Sequence, residues 1–181
     1  AIVNEALTLT AAPYLYDSTE QGTCVTHGHL SEAMSPIMAK AGYVPLAWWE
    51  VGETIMFLKE PAKVPEDVKG MKVRIAPHQG DLKFAEELGL SGVSLGTSEA
   101  VQALQTGNVE GALFVPVFGL SIGVQKTAPY VLVNKYARQT GALVASKRIW
   151  DELSEEERGW LGVFGEMAPD LTDTVLKAEQ A

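Results

Sequence analysis

The stretch Val64-Pro65-Glu66-Asp67-Val68-Lys69-Gly70-Met71-Lys72-Val73-Arg74-Ile75 decides the fold. Proline and two acids open a short helical turn, where a fixed φ and the positive end of the peptide dipoles suit them. Lys69-Gly70 closes that turn. Met71 to Ala76 then predicts a strand, with Arg74 near its carboxyl end between Val73 and Ile75. Downstream the alternation repeats. Asp81 to Leu88 predicts a helix that buries Leu82, Ala85 and Leu88 and stops at Gly89. Val93 to Leu95 is a brief strand, and Thr97 or Ser98 is expected to cap a helix from Glu99 to Gln105. Val109 to Val115, Tyr130 to Val133 and Gly141 to Ser146 read as further strands. Strands alternating with helices imply an α/β fold with mostly parallel pairing.

Upstream, Leu30 to Lys40 has helical spacing with Pro36 inside it, and the aromatic run Tyr43 to Trp49 reads as a strand. Thr54 to Lys59 is a second short strand. The first thirty residues, with His27-Gly28-His29, read mostly as loop and short helix. At the far end Lys147 to Leu153 is helical, and Ser154 caps a second helix that begins with Glu155, Glu156 and Glu157.

The chain has 181 residues, enough to bury roughly 70% of its unfolded surface. With 46% hydrophobic residues it is not a disordered chain. A net charge of −9 argues against nucleic acid and anionic membrane as partners, since both attract clustered Lys and Arg. One cysteine, Cys24, excludes an internal disulfide and a multi-cysteine zinc site; without electropositive neighbours it reads as a packed thiol. The apolar stretch Ala112 to Val124 is too short and too broken to span a bilayer. No basic and apolar leader opens the chain at Ala1, so a targeting signal is not expected within it.

Arg74 is the most informative charge. An arginine in an apolar strand must find an anion, because a buried unpaired guanidinium is costly, and ligands of α/β sheets bind at the carboxyl ends of strands. His78 follows the same strand end and offers a contact. The His27/His29 pair lacks a third ligand at suggestive spacing, so no metal or other cofactor is expected. Trp48 and Trp49 should face opposite sides of their strand, one to the core and one to a cleft. Glu50 and Glu53 read as solvated loop acids. No nucleophile elbow, phosphate loop, HExxH or dinucleotide fingerprint occurs.

Three ordered stretches carry a resemblance: VPEDVKGMKVRI (Val64 to Ile75), SEAVQALQTGNVEGA (Ser98 to Ala112) and SKRIWDELSEEERGWL (Ser146 to Leu161). Together with the run Gly42-Tyr43-Val44-Pro45-Leu46-Ala47-Trp48-Trp49-Glu50 they resemble the periplasmic solute-binding proteins of TRAP (tripartite ATP-independent periplasmic) transporters, the DctP-type family. The resemblance implies a two-lobed α/β clamp that closes over a small organic acid and delivers it to a membrane permease. It implies a periplasmic location and no catalysis.

On that layout residues 51–139 form a complete second lobe. Residues 1–50 and 140–181 are parts of the first, the latter running into the closing helices, and the lobes close about crossings near Val51 and Gln139. Arg74 matches the arginine that pairs with the ligand carboxylate. Trp49, Phe114 and Trp48 are expected to pack the ligand body, with Thr54, Thr97 and His78 as polar contacts. Thr54 or Glu53 stands where the family often has a second arginine, and Ala112-Leu113-Phe114 replaces Gln-Glu-Asn. Losing a cation and an amide while gaining a ring implies a monocarboxylate with an apolar body. The chain is shorter than family members, which implies truncation or an intermolecular partner, with self-association through the incomplete lobe. Alternatives are a ligand-sensing clamp for a signalling receptor, or a small α/β enzyme acting on carboxylic acids, which would need His78 or Glu50 as base.

Overall fold

The computed structural model describes residues 9–180. Two compact units divide the chain: one runs to Gly52 and resumes at Arg138, and the other comprises Glu53–Ala137.

The Glu53–Ala137 unit is built on a five-stranded sheet. Its strands are β2 (Ile55–Leu58), β3 (Lys72–Ile75), β4 (Ser91–Ser94), β5 (Gly111–Phe114) and β6 (Tyr130–Leu132), ordered β4-β3-β5-β2-β6. β3 pairs parallel with β4 and β5, whereas β2 pairs antiparallel with β5 and β6, so the expected mostly parallel sheet is in fact mixed. Connectivity explains it. α3 (Gln79–Glu87) and α4 (Thr97–Thr106) carry the chain back between parallel strands, which need such crossovers. The entering strand β2 and the leaving strand β6 instead run against each other, and Thr54 N–H donates to Ala137 O at 2.8 Å beside them.

Strand alternation divides the core. Met56, Leu58, Val73, Ile75 and Leu113 pack with Phe84 and Tyr136. Ile55, Phe57, Ala112 and Phe114 pack with Ala100, Leu104 and Val109 of and after α4. Each buried Val, Leu, Ile, Met or Phe among them contributes about 1.5–3 kcal/mol. Helix starts differ from expectation by a few residues, for local reasons. α3 begins at Gln79 because His78 is its N-cap, Nδ1 accepting from Asp81 N–H at 3.3 Å. α4 begins at Thr97, and neither Thr97 nor Ser98 caps it: Gly96 takes that place and donates its N–H to Glu99 Oε2 at 3.0 Å. Gly107 ends α4 at φ +79°, the left-handed conformation a glycine adopts without strain.

The other unit pairs β1 (Tyr43–Glu53) with β7 (Arg138–Ser146). It also holds α1 (Thr19–Gly28), α2 (Leu30–Lys40), α6 (Lys147–Glu152) and α7 (Glu155–Gln180); the short α5 (Pro116–Ser121) belongs to the sheet unit. Ser154 Oγ accepts from Glu157 N–H at 3.2 Å, the expected cap of α7. Leu30, Met38 and Trp48 form its small core. Four readings change. His27 and Gly28 lie in the last turn of α1, not in a loop, and His29 only joins it to α2. Cys24 is exposed on α1 and is not a packed thiol. Glu50 is 1% exposed in β1 rather than solvated, its carboxylate paired with buried Arg138 of β7. Glu53 is also no free loop acid: it pairs with Lys135 at 3.0 Å.

Candidate functional site

Arg74 is 4% exposed at the carboxyl end of β3. Val73 and Ile75 enter one core, so alternation sends Arg74 to the opposite face, toward Ala112 and Phe114. Nε donates to Leu95 O at 3.0 Å, just past β4, and Nη1 to Leu113 O in β5 at 2.8 Å. The guanidinium carbon lies 4.2 Å from the centroid of the Phe114 ring. Two backbone carbonyls and one aromatic face thus fix the fork. Arginine carries five N–H donors, so three, both on Nη2 and one on Nη1, have no protein acceptor among the described residues. Burial lowers the Arg74 pKa, and the Asp81 carboxylate and Tyr136 partly restore it. The chemistry such a group offers is two-point binding of a planar anion.

A polar cluster adjoins that strand end. Asp81, 2% exposed in the first turn of α3, accepts from Ala76 N–H through Oδ2 at 3.0 Å. Its Oδ1 accepts from Tyr136 O–H at 2.5 Å, and His78 Nε2 stands 3.3 Å from the same oxygen. The Tyr136 ring lies flat on Phe84, centroids 3.7 Å apart. Burial, then the Asp81 charge and hydrogen bond, raises the Tyr136 pKa, so the phenol stays protonated as the donor; the Thr54 hydroxyl also bonds it.

Among the expected site residues, Arg74, Phe114, Thr54, Thr97 and His78 lie in the Glu53–Ala137 unit. Phe114 is 5% exposed beneath the guanidinium. Thr54 is buried beside Tyr136, and His78 caps α3 with its ring turned to Asp81. Thr97 is half-buried at the start of α4, two residues after the carbonyl that holds Arg74 Nε. Trp48 and Trp49 belong to the other unit. Trp48 is core there, packed with Leu30 and Met38, while half-buried Trp49 lies against Gly141, where an added Cβ would stand 2.9 Å from its ring. Sequence reading missed Asp81 and Tyr136. The first looked like any helix-start acid, and the second falls outside every predicted element. Among the described residues no group of three or more His, Cys, Asp or Glu side chains could hold a metal ion, and no helix is long and apolar enough to cross a membrane.

The family model of DctP, bacterial extracellular solute-binding protein family 7, matches residues 1–178. The C4-dicarboxylate-binding periplasmic protein DctP of Rhodobacter capsulatus is 26% identical over 167 residues, 92% of this chain and 50% of that protein. A solute-binding protein of Chromohalobacter salexigens is 25% identical over 154 residues, 84% of this chain and 46% of its own. Among solved structures, a TRAP periplasmic solute-binding protein from Sulfitobacter sp. NAS-14.1 with bound β-D-galacturonate superposes with a TM-score of 0.90 at 24% identity, over 98% of this chain and 59% of that one. The chain thus spans about half the length of the curated relatives it matches, and the fold is that of part of a two-lobed α/β binding-protein clamp.

Proposed function

The chain belongs to the DctP family of bacterial extracellular solute-binding proteins, family 7, and we propose that it captures a small organic acid by pairing Arg74 with the ligand's carboxylate. Family members bind solutes rather than transform them, so the site needs affinity and orientation, not a nucleophile. The observation that carries the reading is the state of Arg74: buried, clamped by Leu95 O and Leu113 O, with three N–H donors left over. A guanidinium so held loses little further freedom on binding, which is the benefit of preorganisation. The acid would be a monocarboxylate with an apolar body. Supporting this, buried Thr54 supplies a hydroxyl rather than a second cation, and Phe114 presents a ring under the guanidinium where an amide would favour a more polar solute. Thr97 and His78, which lie in the same unit as Arg74, would add polar contacts. The ligand would pass to a TRAP membrane permease from a periplasmic location, and the chain by itself would self-associate through its partial lobe. Calorimetry with a panel of mono- and dicarboxylates tests the anchor: Arg74→Ala should abolish binding and Arg74→Lys should weaken it, because an ammonium cannot bind bidentately. Unchanged affinity in Arg74→Ala, or a dicarboxylate binding best, would sink the respective half of the reading.

A further inference from the structure

Within the Glu53–Ala137 unit, Arg74 and Asp81 are the buried charged side chains among the described residues. They share one strand end: Asp81 Oδ2 takes the N–H of Ala76, two residues past Arg74. Both oxygens of Asp81 accept protein hydrogen bonds, so the carboxylate is fixed in place and cannot turn away when a ligand enters. Its field reaches the guanidinium, since Asp81 is the largest charge favouring the cationic form of Arg74.

We propose that Asp81 is a specificity-determining residue that restricts the Arg74 site to monoanions. The inference rests on the reading of Arg74 as the carboxylate anchor. The two buried charges sum to zero before a ligand arrives. A monocarboxylate leaves one negative charge in the pocket, shared over a guanidinium and a fixed carboxylate. A dicarboxylate leaves two, in the field of Asp81, with no second buried cation among the described residues of this unit to match them. Like charges brought together in a desolvated site repel, which is how binding sites reject wrong partners. Asp81 does not touch the ligand in this scheme. It acts through the charge it holds beside Arg74, while Tyr136 and Ala76 N–H hold it there.

Isothermal titration of the full chain with straight-chain monocarboxylates and α,ω-dicarboxylates of four to eight carbons reads the effect as a ratio of affinities. Wild type should prefer the monocarboxylate of each length. Asp81→Asn should shrink that preference by about tenfold, mainly by strengthening dicarboxylate binding. Tyr136→Phe removes the hydrogen bond but keeps the charge, so it should leave the ratio within about twofold even where it lowers both affinities. Should Asp81→Asn not fold, Asp81→Ser serves, with the same expected change in ratio. If the Asp81 variants weaken both classes equally, or if Tyr136→Phe shifts the ratio as much as they do, Asp81 is structural and the proposal fails. Arg74→Ala separates the two ideas. Loss of both classes with an unmoved Asp81 ratio leaves the anchor standing and overturns the charge filter, whereas retained binding overturns the anchor and the filter with it. No binding by wild type overturns both.

Discussion

The Phe114 ring carries the Arg74 guanidinium on its face, 4.2 Å from centroid to central carbon, and leans in turn on Phe118 at 5.9 Å. Phe114 is therefore both core and platform: it packs with Ile55 and Phe57 on one side and orients the charged fork on the other. Phe114→Leu should keep most of the packing and lose the π face, at about 0.5–2 kcal/mol. Acid affinity should drop several-fold, while the urea midpoint moves little. Phe114→Ala should cost about 3–5 kcal/mol of stability as well. Titration calorimetry beside urea unfolding separates the two. An affinity in Phe114→Leu equal to wild type would remove the platform role.

Two glycines of α1 give a stability contrast within one helix. Gly22 is buried in α1 against Arg138, and an added Cβ would stand 2.7 Å from the Arg138 Cδ. Gly22→Ala must push that side chain off Glu50, leaving a carboxylate at 1% exposure short of its cation. Breaking such a buried pair costs roughly 3–5 kcal/mol. Gly28, at the end of the same helix, has nothing within 4 Å of an added Cβ. Gly28→Ala should be neutral or stabilise by about 0.5–1 kcal/mol. Thermal unfolding of the two variants should therefore move in opposite directions; equal small shifts would show that Gly22 is not what admits Arg138.

Much of this was legible in the chain, for reasons that differ by residue. Elements with a strong local signature, such as Pro65 and two acids before a β-branched strand, or Ser154 before three glutamates, fold where their own chemistry puts them. Arg74 was legible because a charge in an apolar strand contradicts its surroundings. Asp81, Tyr136 and the Glu50–Arg138 pair were not, because each partner looks ordinary alone. Only long-range pairing brings them together: Asp81 with Tyr136 across 55 residues, and Glu50 with Arg138 across β1 and β7. The antiparallel half of the sheet was hidden likewise, since periodicity reports a strand and not its direction.

His27 predicts a pH dependence. Its Nε2 lies 2.9 Å from Thr172 Oγ1 of α7, and burial lowers its pKa from 6.5, with the Asp173 charge of the same helix partly opposing. The folded state thus binds the proton less readily than the unfolded chain. Stability contributed by neutral His27 is present in full above 6.5 and is lost as pH falls below that value toward the depressed folded pKa. Glu20, Asp67 and Glu157 are held low by hydrogen bonds, so the stability they contribute is lost only at more acid pH. Denaturation midpoints between about pH 7 and pH 5 should fall more steeply for wild type than for His27→Gln, which can keep the Thr172 contact without a titrating ring. Parallel slopes would assign the dependence elsewhere.

One face of α7 predicts association. Trp160, Val163, Phe164, Met167 and Leu171 recur at helical spacing, and all are exposed, Trp160 at 64%. The inner face of the same helix is a separate line, on which Ala168 and Thr172 are buried. A stripe of five large apolar side chains in water is unfavourable at about 25 cal/mol per Å² of apolar surface, and covering it is the obvious gain. In the 181-residue chain that cover should be a second copy, pairing the stripe with its own equivalent. Sedimentation at rising concentration should show wild type leaving the mass of one chain, and Trp160→Glu with Phe164→Glu should restore it without lowering the unfolding midpoint. Both side chains are solvent-facing in the single chain, so the double variant disturbs no core. A wild-type chain that stays monomeric at every concentration would overturn the association, and a double variant that still dimerises would place the contact on another face.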